Sequence, residues 1–321
     1  MDQPIERVVD LLPADVNRLH GIDVDEARER LFAEDPAAQV RAIEGSFALV
    51  SRRGIAVRLV RSLDRPLRYF LAKRAAGPAL FVADRIDTLR AGLAAEGLEG
   101  QFHPSYTRMV PAHHVVEIQL LGCPDPDPIY TRFFDPPRAS GPPDLDALGA
   151  RYVGALRDEL RGWLGALERD RPGEPLGLTF SGGVDSGAVF VVLHHVLLEL
   201  GLSPARLKAF VLDLGDAPDR AQARAFLQAL GMELFLEPIT ATPAALDVEE
   251  AIRVIEDYKP LDVECAAVGL TLCRGIRERY PDWRVLVDGD GGDENLKDYP
   301  IEANPELTIK SVIDNLSLIH I

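Results

Sequence analysis

Cysteine is scarce in this sequence: the 321 residues hold three, Cys123, Cys265 and Cys273. An odd number without a Cys-x-x-Cys pair excludes a disulfide framework and a zinc ribbon, and fits a reducing compartment. Basic charge is also short, with 35 Lys and Arg against 51 Asp and Glu and a net charge of −16. Such a surface repels a phosphate backbone, so nucleic acid is not an expected partner. No apolar run approaches the roughly 18 residues that span a bilayer, and Met1-Asp2-Gln3-Pro4 opens neither a basic start nor an apolar signal core. No membrane partner is expected, and the expected location is cytoplasmic. Apolar residues are present in ordinary measure, 47%, enough for a core in each of about two domains.

Proline and glycine crowd into residues 123–144, CPDPDPIYTRFFDPPRASGPPD, a composition that suppresses helix and strand alike. A domain boundary is placed there, giving a first domain over 1–140 and a second over 141–321. In the first, short β-rich stretches alternate with turns at 45–54, 56–63, 67–74, 78–85 and 113–121, which predicts antiparallel sheet. In the second, Leu145, Leu148, Tyr152, Leu156, Leu160, Trp163 and Leu167 recur at helical spacing. Strands are then expected at 175–180, 206–214, 233–239 and 283–289, alternating with helices at 188–200, 219–230, 247–258 and 264–279. That alternation implies right-handed crossovers and a parallel sheet covered on both faces. The overall class is α/β, and ligands belong at the carboxyl ends of the strands, after Phe180, Leu214 and Val287.

Two of those loops carry chemistry. Ser181-Gly182-Gly183-Val184-Asp185-Ser186 runs from a buried strand into an apolar helix. Adjacent glycines admit an anion close to the backbone, the serines donate hydrogen bonds, and the helix start adds unpaired N–H groups. Asp185 would repel bare phosphate, so a divalent cation is expected between them. The bland alternative is a turn that caps a helix. The second loop, Asp288-Gly289-Asp290-Gly291-Gly292-Asp293-Glu294, packs four carboxylates that call for a cation or a basic substrate group. An EF-hand starting at Asp288 would need Gly at 293 and Glu at 299, where Asp293 and Tyr299 stand. His113 and His114 fall on adjacent strand positions facing opposite ways, an arrangement for ordinary surface and core histidines rather than metal ligands.

LTFSGGVDSGAV resembles the SGGxDS pyrophosphate loop of the N-type ATP pyrophosphatases, and no GxxxxGK[ST] is present. LVDGDGGDENLKDY resembles the SGEGxDExFGGY segment of the asparagine synthetase family, with Asp290 at the glutamate, Asp293 and Glu294 at the acidic pair and Tyr299 at the tyrosine. AFVLDLGDAPDRAQARAFLQALG is similar to that family's adenine-binding segment, which implies Val211, Leu212 and Asp213 beside the nucleotide. VIEDYKP resembles its IExYD segment, whose tyrosine in the β-lactam and carbapenam synthetase branch works in acid–base chemistry with a loop glutamate. Tyr258 and Asp290 are the corresponding pair; by itself Tyr258 reads equally as a core or interfacial tyrosine.

The first domain resembles a class II glutaminase through GSFALVSRRG, RSLDRPLRYF, ALFVADRIDTL and RMVPAHHVVEI. Such an enzyme needs an amino-terminal cysteine nucleophile, and residue 2 is Asp2. The RDRxG cluster has become Arg61-Ser62-Leu63-Asp64-Arg65. The resemblance therefore implies a scaffold without glutamine hydrolysis: an Ntn-hydrolase-like antiparallel β-sandwich joined to an adenine-nucleotide α-hydrolase-like parallel sheet flanked by helices.

The implied activity is a carbon–nitrogen ligase: ATP is cleaved to AMP and pyrophosphate, a carboxylate (aspartate or a relative) becomes an acyl-adenylate, and ammonia or an amine displaces AMP. Small-molecule carboxylate and amine are the partners, and a homodimer stays open. The resemblance assigns Asp290, Tyr258 and Glu294 to catalysis. It assigns Ser181, Gly182, Gly183, Val184, Asp185, Ser186, Val211, Leu212, Asp213, Gly289 and Gly291 to ATP, and Asp185 with Asp293 to Mg2+. Asn295-Leu296-Lys297-Asp298 and PLDVECAAV depart from the family's glycines and aspartate pocket, and Asp290 is one methylene shorter than its glutamate, about 1.5 Å of reach. The family continues well beyond Tyr299, so truncation is expected. The alternatives are a non-catalytic nucleotide-binding scaffold and another ATP pyrophosphatase, such as an RNA-thiolating enzyme. The latter wants a basic face and a cysteine pair, which this sequence lacks.

Overall fold

The computed structural model describes residues 7–75, 77–119, 127–135, 144–215 and 218–291. The chain divides into two compact units, Met1–Ser140 and Gly141–Ile321.

The first unit contains β1 (Arg7–Asp10), β2 (Arg18–Leu19), α1 (Val24–Arg30), α2 (Pro36–Arg41), β3 (Gly45–Ser46), β4 (Ala48–Arg53) and β5 (Ala56–Arg61). It continues with β6 (Arg68–Ala72), β7 (Ala79–Ala83), α3 (Ile86–Ala95), β8 (Arg108–Met109), β9 (His114–Gln119) and β10 (Ile129–Arg132). Two four-stranded sheets form, ordered β1-β7-β6-β8 and β10-β9-β5-β4. Val50, Val57, Leu59, Val116 and Ile118 of one meet Tyr69, Leu80 and Val82 of the other in a shared buried cluster. The outer faces are covered too. Leu49, Val60 and Val115 pack with Ala27 of α1, Leu31 just after it and Val40 of α2. Phe70, Phe81 and Ala83 pack with Leu89 and Leu93 of α3. The layers therefore run helix, sheet, sheet, helix, which is why β7 is buried at every position.

Three expectations change. The sheets are not purely antiparallel, because β1 joins β7 in parallel from Arg7↔Ala79 to Asp10↔Val82. The proline-rich stretch holds a strand after all: β10 pairs with β9 through Ile129, Tyr130, Thr131 and Arg132. These are mostly β-branched or aromatic residues, the prolines flank them, and an edge strand needs only one ladder. His113 lies in a turn at φ 63° rather than on the strand, which begins at His114. Its ring packs on Phe133 and Phe134 at 6.0 and 4.9 Å, and burial with the Arg132 charge pushes its pKa down.

The second unit contains α4 (Leu145–Asp170), β11 (Leu176–Thr179), α5 (Val184–Glu199), β12 (Leu207–Asp213), α6 (Asp219–Ala229), β13 (Leu236–Thr240), α7 (Val248–Ile255), α8 (Pro260–Arg279) and β14 (Val285–Val287). The sheet order is β13-β12-β11-β14 and every pairing is parallel. Ala209 and Val211 join Leu160, Leu164, Phe190, Leu193 and Leu227 in one core. Phe210 and Leu212 face the opposite way, onto Leu272 and Ile276 of α8. Alternate β12 side chains thus serve two cores, each buried Leu or Phe contributing roughly 1.5–3 kcal/mol of transfer free energy. Pro238 sits in β13, at the end of the sheet order, where its missing N–H costs least. Helix α5 starts four residues earlier than the expected 188, at Val184, so the serine–glycine loop leads directly into it. Among the described residues no helix is long and apolar enough to cross a membrane.

Candidate active site

In the second unit β12 and β13 lie on one side of β11 and β14 on the other. The chain runs outward from β11 through β12 to β13 and returns to the other side of β11 at β14, and the carboxyl ends of strands at such a change of direction are where open parallel sheets hold ligands. Ser181–Gly183 and Asp288–Gly291 both start at that end.

Local backbone explains the glycines. Gly182 has φ +79°, and a Cβ built on it would lie 2.7 Å from the Ala223 Cα and N and 2.8 Å from the Gln222 carbonyl carbon. The loop is therefore pressed against the backbone of α6. A Cβ on Gly289 would lie 2.7 Å from the Ser186 N and 2.9 Å from its Cα. The acidic loop thus touches the first turn of α5, and the two sequence-distant loops form one site.

The serines brace the turn from within. Their hydroxyls, Ser181 Oγ and Ser186 Oγ, are 3.2 Å apart, the Gly183 N–H donates to Ser181 Oγ at 3.2 Å, and the buried Ser186 hydroxyl donates to the Gly183 carbonyl at 3.4 Å. Gly183 is the N-cap of α5 and supplies no side-chain cap. The first-turn N–H groups and the positive end of the helix dipole are thus left for an anion. Val184 is exposed and Asp185 half-buried on this turn. This donor set fits the phosphate chain of ATP.

Of the three β12 residues, Val211 and Leu212 place their side chains in the two cores, so only their main chain can face a nucleotide. Asp213 ends the strand, buried, with Oδ2 accepting from Arg220 Nη1 at 2.6 Å and Oδ1 from the Gly215 N–H at 3.2 Å. Arg220, in the first turn of α6, escaped the sequence reading. The signal was there: a carboxylate at the end of a buried strand needs a cation, and the next helix begins with Asp219-Arg220.

Asp290 is exposed, its N–H donating to Asp288 Oδ1 at 3.3 Å. Burial first, then the charges of Asp290, Asp262 and Glu264, pushes the Cys265 thiol up; burial and Asp288 do the same to Cys273. Both thiols stay protonated and are poor nucleophiles. Tyr258 lies on the loop between α7 and α8, 81% exposed, with its main-chain N–H on Asp257 Oδ1 at 2.6 Å. A ring this solvated is neither a core nor a packed interfacial tyrosine of this unit. Asp293 and Glu294 lie outside the described residues, as do Gly292 and Tyr299. Among the described residues no three His, Cys, Asp or Glu side chains gather to hold a metal. Of the two expected Mg2+ ligands, Asp185 alone is described, at the loop where phosphate oxygens fit.

The sequence profile of the asparagine synthase family matches residues 167–315. Asparagine synthetase [glutamine-hydrolyzing] of Gallus gallus is 28% identical over 124 residues, 39% of this chain and 22% of that protein. The Rattus norvegicus protein of the same name is 29% identical over the same length and shares of the two chains. The match thus spans about a fifth of the length of these relatives. Among solved structures, NMN synthetase from Francisella tularensis aligns at 20% identity over 44% of this chain and 56% of that one, TM-score 0.29. NH3-dependent NAD synthetase from Campylobacter jejuni aligns at 13% identity over 46% and 60%, TM-score 0.31.

Proposed function

We propose that this chain, which belongs to the asparagine synthase family through its second unit, is an ATP pyrophosphatase-type synthetase that joins a carboxylate to ammonia or an amine. One observation carries the reading: the Ser181–Ser186 loop leaves a parallel-sheet switch point into an uncapped helix, and Gly289 of the acidic loop touches that helix's first turn.

In this reading the substrate carboxylate attacks the α-phosphorus of ATP, the bond to the β-phosphate oxygen breaks, and pyrophosphate leaves. The α5 N–H groups and the Ser181 hydroxyl bind the departing pyrophosphate and stabilise the charge that gathers on it. Asp185 and Asp293 would hold Mg2+, which supplies further neutralisation of that charge. The amine then attacks the acyl-adenylate carbonyl and AMP departs. Asp290 orients the amine or accepts its proton, with Tyr258 as its acid–base partner, and Glu294 assists from the same acidic loop. Arg220 holds the buried Asp213 carboxylate in place beside the adenosine. The second unit's sheet is read as adenine-nucleotide α-hydrolase-like, and the four-layer first unit as Ntn-hydrolase-like.

Ammonia rather than glutamine is favoured by what the first unit does with its polar cluster. The Arg61 guanidinium donates to four main-chain carbonyls, those of Val110, Leu63, Ser62 and Arg65, at 2.6–3.2 Å. Asp64 accepts from the Ser46 and Ser62 hydroxyls. These bonds tie Arg61 Nε and Nη1 and the Asp64 carboxylate into the unit's own chain.

The test is product formation from Mg-ATP with aspartate and related carboxylates, using ammonia and then glutamine. AMP and amide formed with ammonia but not with glutamine is the expected result. Glutamine serving as well as ammonia would overturn the nitrogen assignment, and ADP in place of AMP would overturn the reaction class.

A further inference from the structure

The first unit contains a cavity of about 370 Å³, within the size range of small-molecule sites. Its floor is apolar and drawn from both sheets: Tyr69 and Leu71 of β6, Leu80 of β7 and Ile118 of β9. Its mouth is polar, with Lys73, Gln101 and Arg108 around it. The Gln101 side chain is locked in place, accepting from the Lys73 N–H at 2.8 Å and donating to the Lys73 carbonyl at 2.6 Å. That clamp fixes the end of β6 and with it the base of the lysine side chain.

Charge at the mouth is distributed unevenly. Arg7 and Arg74 both reach Glu96, at 2.7 and 3.5 Å, and Arg90 reaches Glu99 at 2.9 Å. Acids near this end of the unit are thus taken by other cations. Among the described residues neither the Lys73 ammonium nor the Arg108 guanidinium meets a carboxylate, in a chain with 16 more acids than bases. An apolar floor beneath two unneutralised cations has the polarity of an amphipathic anion turned inside out.

We propose that the first unit binds a small organic carboxylate with an apolar body in this cavity, its carboxylate between Lys73 and Arg108 and its body against Leu71 and Tyr106, over the buried Tyr69, Leu80 and Ile118. The site belongs to the first unit alone and does not depend on the nucleotide chemistry of the second.

Isothermal titration of the full chain with octanoate and 3-phenylpropionate tests it. Saturable one-site binding is expected, at least tenfold tighter than for 3-phenylpropan-1-ol or inorganic phosphate, which carry only one half of the recognised chemistry each. The double variant Lys73→Glu/Arg108→Glu changes two exposed side chains, so its circular dichroism should match the parent while carboxylate affinity falls at least tenfold. Saturating Mg-ATP should leave the binding unchanged. Absence of binding to the parent, equal binding of the alcohol, an unaltered double variant, or competition by Mg-ATP would each overturn the proposal.

Discussion

Each unit carries a polar cluster at the end of a β-strand, and the two are used in opposite ways. After β5, Arg61 spends its guanidinium on four carbonyls of its own chain, and Asp64 is tied to two serine hydroxyls. After β11, the helix that follows Ser181–Gly183 starts without a side-chain cap, and Gly182 keeps its backbone against α6 where no Cβ fits. Donors consumed internally make a brace, whereas donors held in place but left open make a binding site. The residue types overlap, so the difference lies in where the hydrogen bonds go.

The largest expected effect is on the open cluster. Asp185→Ala should lower AMP formation by at least about 100-fold, the scale for removing a group that stabilises transition-state charge, while the thermal midpoint stays within a few degrees. Normal turnover in that variant would break the comparison. Gly182→Ala meets both a left-handed backbone and the α6 main chain, and should cost about 2–4 kcal/mol in urea unfolding. A loss below about 1 kcal/mol would show that the contact with α6 yields easily.

On the braced side, Arg61→Ala leaves carbonyls of Val110, Leu63, Ser62 and Arg65 without their donor and should cost about 1–3 kcal/mol. Its affinity for Mg-ATP should equal the parent's; weaker nucleotide binding would mean that the brace also serves the site. The smallest effect concerns Asp64. Burial alone raises its pKa, but the Ser46 and Ser62 hydroxyls, its own main-chain N–H and the Arg65 charge together outweigh that and hold it below the usual 3.8. A carboxyl with a depressed folded-state pKa contributes stability above its unfolded value and loses it as pH falls through the folded one. Asp64→Asn should therefore flatten the decline in stability below about pH 4 relative to the parent, and at pH 7 the variant should be less stable by the amount the parent loses when Asp64 is protonated. A parallel decline in both proteins would contradict the assignment.

Much of the second unit is legible in its sequence, because strands and helices there follow two distinct periods and α5 and α6 stop at Gly201 and Gly231. The helix at 188–200 lengthens to Val184 because nothing in an SGGVDS string marks which residue takes the first helical φ/ψ. Less of the first unit is legible. Its strands are covered on both faces, so β7 loses the alternation that marks a half-exposed strand. The short helices α1 and α2 carry few apolar residues, only Ala27 and Val40 being buried. The flanking prolines mask β10, whose pairing depends on β9 rather than on its own composition. At the site, the loops and glycines are read from local pattern, but the contact of Gly289 with Ser186 and the Asp213–Arg220 pair come from chain crossings that no local window contains.

The central claim is that the Ser181–Ser186 loop cradles the β- and γ-phosphates of ATP. Equilibrium binding of Mg-ATP to the full chain, with inorganic pyrophosphate as competitor, addresses it without requiring the carboxylate substrate to be known. Saturable ATP binding that pyrophosphate displaces and that Gly182→Val abolishes is the expected result. ATP binding that pyrophosphate leaves untouched, or that survives in a folded Gly182→Val variant, would contradict it.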